Sequence, residues 1–241
     1  ESSLDFSISA GAIRFGLGAV KNVGEGAILS ILKARDEEGP FESLMDFCER
    51  VDLRKVNKRV LEGLVKCGAF DTFGYPRDLL FHNIERALER GQSVQRDREA
   101  GQFSLFGALE STLPAESGDS ALEELAEEDE WTQRMELRFE RASLGFYITG
   151  HPLDRYVNEL PRLATGDTST LVQSVGKQEV SFGAMVVGLR ERPLKDGSGR
   201  MAFLQLEDHL GQVEGVCFSK TFMANEDLLK SDDPVLISGQ V

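Results

Sequence analysis

The run VSFGAMVVGL at residues 180–189 is followed by MAFLQLED at 201–208, QVEGVCF at 212–218 and PVLISGQV at 234–241. Each is short and rich in β-branched or aromatic residues, with the two-residue period of a strand that buries one face. Asp196-Gly197-Ser198-Gly199 and Gly211 supply turns between them. The pattern predicts an antiparallel meander, a helical or irregular spacer near 219–231, and a fourth strand. That order matches an OB-type barrel, which closes with a fifth strand. Residues 176–241 are therefore expected to form a truncated five-stranded OB-type barrel that lacks its last strand.

Upstream the period changes. From Ile13 to about Arg98 apolar residues recur every three or four positions, in short pieces broken by glycine, which predicts an all-α domain over 1–100. Gly24-Glu25-Gly26 separates a short helix from a second one carrying Ala27, Ile28, Ile31 and Leu32. Pro40 suits the first turn of a helix with the stripe Phe41, Leu44, Phe47, Cys48 and Val51. Asn57 is a good N-cap for a helix presenting Val60, Leu61, Leu64 and Val65 and stopping at Gly68, and another helix is expected from about Asp78 to Arg90. Residues 101–130 read as a peptide followed by an acidic linker. Residues 131–175 read as a helical connector, with a helix through Met135, Leu137, Phe139, Ala142 and Leu144. The fold class is α+β.

The formal net charge of -14 argues at first against a nucleic-acid partner, since affinity for phosphates comes from Lys and Arg. Residues 101–140, however, hold 2 basic and 11 acidic side chains, whereas residues 1–100 hold 15 and 17 and residues 141–241 hold 10 and 13. The flanking parts can each present a basic face. The apolar runs fall short of the roughly 18 residues of a membrane span, and Glu1 and Asp5 do not fit a signal peptide, so a cytoplasmic protein with no membrane partner is expected. Cys48, Cys67 and Cys217 are odd in number and widely spaced, which argues for reduced, buried thiols rather than disulfides or zinc ligands.

Four features can carry function. At Val23-Gly24-Glu25-Gly26, the backbone amides around Gly24 and Gly26 at a helix N-terminus suit a phosphate, with Lys21 adding charge and Glu25 opposing it; an ordinary helix-helix turn is the alternative. Arg54, Lys55, Lys58 and Arg59 cluster at a helix start, where cations face the positive end of the dipole; the choice lies between a solvated face and a phosphate-binding one. Gln102, Phe103, Ser104, Leu105 and Phe106 lie between Gly101 and Gly107 without the periodicity that would bury them, which suits an exposed peptide that docks in an apolar pocket. In the barrel, Arg190, Arg192, Lys195, Arg200, Phe203 and Phe218 fit a basic groove with stacking aromatics, unless the two aromatics are core. There is no GxxxxGK[ST], the spacing of Gly16, Gly18 and Gly24 does not suit a dinucleotide loop, and His82, His151 and His209 read as isolated from each other. No carboxylate set suggests a two-metal phosphoryl-transfer site, so no catalytic residue, metal or cofactor is expected in this segment.

The segments GLGAVKNVGEGAI at 16–28, NKRVLEGLVKCGAFD at 57–71, SLGFYITGHPLDRY at 143–156 and VLISGQV at 235–241 resemble the α subunit of bacterial DNA polymerase III, the C-family replicative polymerase, in that family's order. The resemblance implies that residues up to about 75 close the fingers region and form tandem helix-hairpin-helix elements gripping duplex DNA. It implies that 102–106 is the internal motif that docks on the sliding clamp through Gln102, Leu105 and Phe106, and that the barrel lies near single-stranded template. The palm with its catalytic aspartates, which use Mg2+, and the domains that contact other holoenzyme subunits have no counterpart in this segment. Two other readings compete: a freestanding OB-type module binding tRNA or single strands, and an assembly scaffold whose helices bind protein.

Overall fold

The computed structural model describes residues 2–9, 11–100, 122, 130–173, 178–195 and 197–241. The chain forms two compact units, Glu1–Tyr147 and Ile148–Val241. The segment 131–175, read above as a connector, divides between them.

The first unit opens with a feature the helical pattern did not reveal. Strands β1 (Ser7–Ser9) and β2 (Ala12–Arg14) pair antiparallel, with Ile8 opposite Ile13. A single 3-10 turn at Leu17–Ala19 then stands where a short helix was expected, and α1 (Glu25–Glu38) follows. Helix α2 (Leu44–Arg50) starts four residues after Pro40. Ser43 caps it by accepting from the Asp46 amide at 3.1 Å, while Asp46 reaches back to the Glu42 amide at 3.0 Å. This reciprocal capping overrides the proline as the start signal.

Helix α3 (Lys58–Lys66) runs as expected from the Asn57 cap to Gly68, whose φ is 78°. The single helix expected over Asp78–Arg90 is two, α4 (Arg77–His82) and α5 (Ile84–Glu99). Asn83 lies between them, 1% exposed, its side chain donating to the Leu79 carbonyl at 3.0 Å and so closing α4. Helices α2 and α5 meet at Gly91, where a Cβ would stand 2.4 Å from the Cys48 carbonyl oxygen. Gln95 of α5 donates to the carbonyls of Cys48 and Val51, satisfying the open end of α2.

Helix α6 (Gln133–Leu144) completes this unit. It is capped by Thr132 and ends at Gly145 with φ 94°. Leu137 faces the interior, and Glu140 is fully buried against Arg77. The core joins Ile28, Leu44, Phe47, Leu61, Leu64, Leu80 and Ile84.

In the second unit, short helices α7 (Leu160–Leu163) and α8 (Thr168–Gln173) precede the sheet. Strands β3 (Glu179–Pro193), β4 (Arg200–Glu207), β5 (Gln212–Cys217) and β6 (Val235–Gln240) are antiparallel in the order β5-β4-β3-β6. The first half of β3 pairs with β6 and the second half with β4, and a register shift between Val186 and Gly188 helps the sheet curl. Helices α9 (Ser219–Ala224) and α10 (Glu226–Lys230) fill the 219–231 spacer. Phe182, Ala202, Leu204, Leu206 and Phe222 make the core of this half-barrel. The α+β class and the OB-type sheet follow the sequence expectation.

Candidate nucleic-acid interface

In the first unit, the turn over Val20–Gly24 packs directly on α3. A Cβ placed on Gly63 would meet the Lys21 carbonyl oxygen at 3.3 Å and the Val23 side chain at 3.8 Å. Val20 and Val23 are buried, and the Lys21 amide donates to the Ser143 carbonyl at the end of α6 at 2.8 Å. The Lys21 side chain, Gly24 and Gly26 stay exposed. Neither glycine supplies the left-handed residue of the turn. Gly24 has φ -75° and Gly26 lies inside α1, while the left-handed residue of the turn is Asn22 at φ 68°. Asn tolerates that region because its short amide can hydrogen-bond locally. No side chain caps α1 at Gly24.

The second cation cluster is adjacent. Lys58 and Arg59 occupy the first turn of α3, which itself contains no acidic residue. Arg59 donates from Nη2 to the Asn22 amide oxygen at 2.8 Å, which joins the cluster to the turn. Lys58 pairs with Glu85, which raises the lysine pKa and lowers that of the glutamate. Arg54 and Lys55 both reach Asp52, at 3.0 Å and 3.5 Å, and the hydrogen bond from Arg54 leads in lowering the Asp52 pKa. These pairs are exposed, with Arg54 at 87% and Lys58 at 52%, so solvent screens them strongly. The structure thus brings Lys21, Gly24 and Arg59 to one surface, with Lys58 beside Arg59 and Arg54 and Lys55 on the turn before Asn57.

Gln102, Phe103, Ser104, Leu105 and Phe106 lie outside the described residues. Helix α5 ends at Glu99 before this peptide, and after it Trp131 contacts α4. The Trp131 amide donates to Asp78 Oδ2 at 2.7 Å, and its ring packs on Phe81 and Phe139. Lys66 Nζ stands 4.8 Å and 5.0 Å from those two phenylalanine rings.

In the second unit the barrel set divides. Ala202, Leu204 and Leu206 point inward, so Met201 and Phe203 face outward. Arg190 is the cross-strand partner of Phe203, with its guanidinium 5.2 Å from the ring centroid, and Arg192 is opposite Met201. Phe203 is half-buried and Phe218 is 71% exposed, so neither is a core residue. Lys195 is exposed in the turn after β3. Arg200 departs from this grouping. It pairs with Glu191 and, at 2.8 Å, with Glu226, and it lies over the buried Phe222. Lys230 closes the network on both carboxylates at 2.7 Å and 2.6 Å. Arg200 thus fastens α9 and α10 to the sheet, because its position on β4 has the inward parity.

The histidines also differ from expectation. His151 and His209 are not isolated: their rings lie 4.4 Å apart, and His209 Nε2 is 2.7 Å from Asp154 Oδ1. Fifty-eight residues of sequence separate the two rings, so no local signal announces the contact. Nearby, a cavity of about 470 Å³ is lined by Leu153, Leu160, Gly183, Asp167, His209 and Leu210. Its carboxylates are engaged: Asp208 accepts from the amides of Thr168 and Leu210, and Asp167 from Ser169 and Thr170. Among the described residues no group of three or more His, Cys, Asp or Glu is placed to hold a metal ion. No helix among them is long and apolar enough to cross a membrane.

Comparison with known proteins agrees with this division. A helix-hairpin-helix motif model matches residues 1–80, and an OB-fold nucleic acid binding domain model matches residues 180–241. The DNA polymerase III subunit alpha of Vibrio cholerae is 33% identical over 96% of the chain, that of Escherichia coli K12 34% over 96%, and that of Saccharopolyspora erythraea 34% over 100%. The chain spans 19–20% of the length of these relatives. Over 96–100% of its own length, the chain is homologous to one segment of DNA polymerase III alpha subunits.

Proposed function

We propose that this chain is the part of a replicative DNA polymerase that holds primer-template DNA and docks on the sliding clamp, the nucleotidyl transfer itself and its Mg2+ belonging to other parts of the polypeptide. The observation that carries this reading is the similarity to polymerase alpha subunits along the whole chain, including the helical half that a freestanding OB module leaves unexplained. Lys21, the amides near Gly24 and Gly26, and the cations Arg54, Lys55, Lys58 and Arg59 contact the phosphates of the duplex. Gln102, Phe103, Ser104, Leu105 and Phe106 form the clamp-binding peptide. The outward face of the barrel, with Arg190, Arg192, Lys195, Phe203 and Phe218, takes single-stranded template. The setting is the bacterial cytoplasm, at the nucleoid.

Leu105 and Phe106 would each contribute roughly 1.5–3 kcal/mol on entering an apolar pocket, less the cost of ordering the peptide. Micromolar affinity results, made effective by shared DNA. Calorimetric titration with a bacterial sliding clamp tests the reading. The native chain should bind in the micromolar range and a Gln102→Ala, Leu105→Ala, Phe106→Ala variant should not. A folded native chain that fails to bind the clamp overturns the docking assignment.

A further inference from the structure

We propose that Asn22 is a positioning residue that pre-orients Arg59, the cation of this cluster that meets no carboxylate among the described residues, on the duplex-binding surface. The inference rests on the duplex reading above and adds a residue that spacing did not single out. Three of the four clustered cations face carboxylates: Arg54 and Lys55 at Asp52, and Lys58 at Glu85. Arg59 instead meets an amide oxygen, since a guanidinium has only donors and the facing atom of Asn22 must accept. A neutral acceptor orients the guanidinium without cancelling its charge. Both side chains are exposed, so the remaining donors of the fork are available to solvent or phosphate.

The backbone of the turn sets this contact. Asn22 adopts φ 68° within a turn fixed on one side by the Lys21 amide at Ser143 and on the other by the close approach to Gly63 of α3. Arg59 is therefore linked to the turn that precedes α1, which joins the two segments of the duplex-binding surface. A guanidinium held in its binding orientation loses less rotamer entropy when a phosphate arrives.

Anisotropy titrations of the full chain with a labelled primed template, repeated across salt concentrations, test the proposal. Asn22→Gly keeps the left-handed backbone and removes the amide; it should weaken binding about three- to tenfold and add nothing to Arg59→Ala in the double variant. Asn22→Asp keeps a local acceptor but neutralises Arg59, so the salt slope should fall by about 1, as it should for Arg59→Ala. A merely structural role for Asn22 would make the losses from Asn22→Gly and Arg59→Ala additive. If Arg59→Ala weakens binding while both Asn22 variants match the native affinity and slope, the positioning role is overturned. If Lys21→Ala, Lys58→Ala and Arg59→Ala all leave affinity and slope unchanged, the duplex reading itself falls, and this inference with it.

Discussion

Arg77 donates from Nη1 to Glu140 Oε1 at 2.8 Å although 63 residues separate them, and Glu140 is fully buried. The same guanidinium meets Asp71 through Nε at 2.8 Å and Nη2 at 2.6 Å, a bidentate pair that leads in raising the arginine pKa above its usual value. Through this one side chain, α6 is fastened to the turn after α3. Glu140→Ala removes one of the two carboxylates on a buried guanidinium that keeps its Asp71 pair, and should cost about 1–3 kcal/mol. Urea unfolding followed by tryptophan fluorescence reads the loss, because Trp131 lies one turn from α6.

Gly68 lies under the same guanidinium. Its φ of 78° disfavours a side chain, and a Cβ there would stand 2.3 Å from Arg77 Nη2. Gly68→Ala should destabilise by about 1–3 kcal/mol, seen as a lower midpoint in thermal unfolding. Gly74, with φ 79° but nothing within 4 Å of its Cβ position, should lose less on the same substitution.

His151 should make the second unit acid-sensitive. The Leu153 amide donates to its Nδ1 at 3.2 Å, and burial, followed by the neighbouring His209, lowers the His151 pKa against the opposing pull of Glu207, Asp154 and Asp208. The unfolded chain therefore binds this proton more tightly than the folded one. The stabilisation is complete at neutral pH and is lost as pH falls through the unfolded value of about 6.5 towards the lower folded one. His151→Gln should flatten the slope of unfolding free energy against pH in that window, and an unchanged slope would rule this source out.

The thiols should react unequally. Burial pushes Cys48 up to about 12 and Cys67 to about 11, so both stay protonated at neutral pH. Cys217 is half-buried and its pKa is raised by burial alone. Iodoacetamide on the native protein should modify Cys217 first, with Cys48 and Cys67 labelled only on unfolding, as peptide mass mapping would show.

On the barrel, Phe203→Ala and Phe218→Ala should each weaken binding to a single-stranded oligonucleotide by about 1–3 kcal/mol if bases stack there. Arg200→Ala should leave that affinity nearly intact and lower thermal stability instead, since Arg200 is held by Glu191 and Glu226. Equal loss of affinity in all three variants would refute the division of the set.

The sequence by itself determined whatever depends on neighbours a few residues apart. The alternation in MAFLQLED set the buried face of β4, and the Asn57 cap and Gly68 stop bounded α3, because strand and helix periodicity and capping act within a turn or two. Only the tertiary structure decided what depends on distant partners: the burial of Glu140 on Arg77, the tilted contact of His151 with His209, the turn of Arg200 away from Arg190, and the left-handed Asn22 that receives Arg59. These contacts join residues 9 to 63 positions apart, so packing of whole elements sets them, and no local pattern encodes which charge faces which.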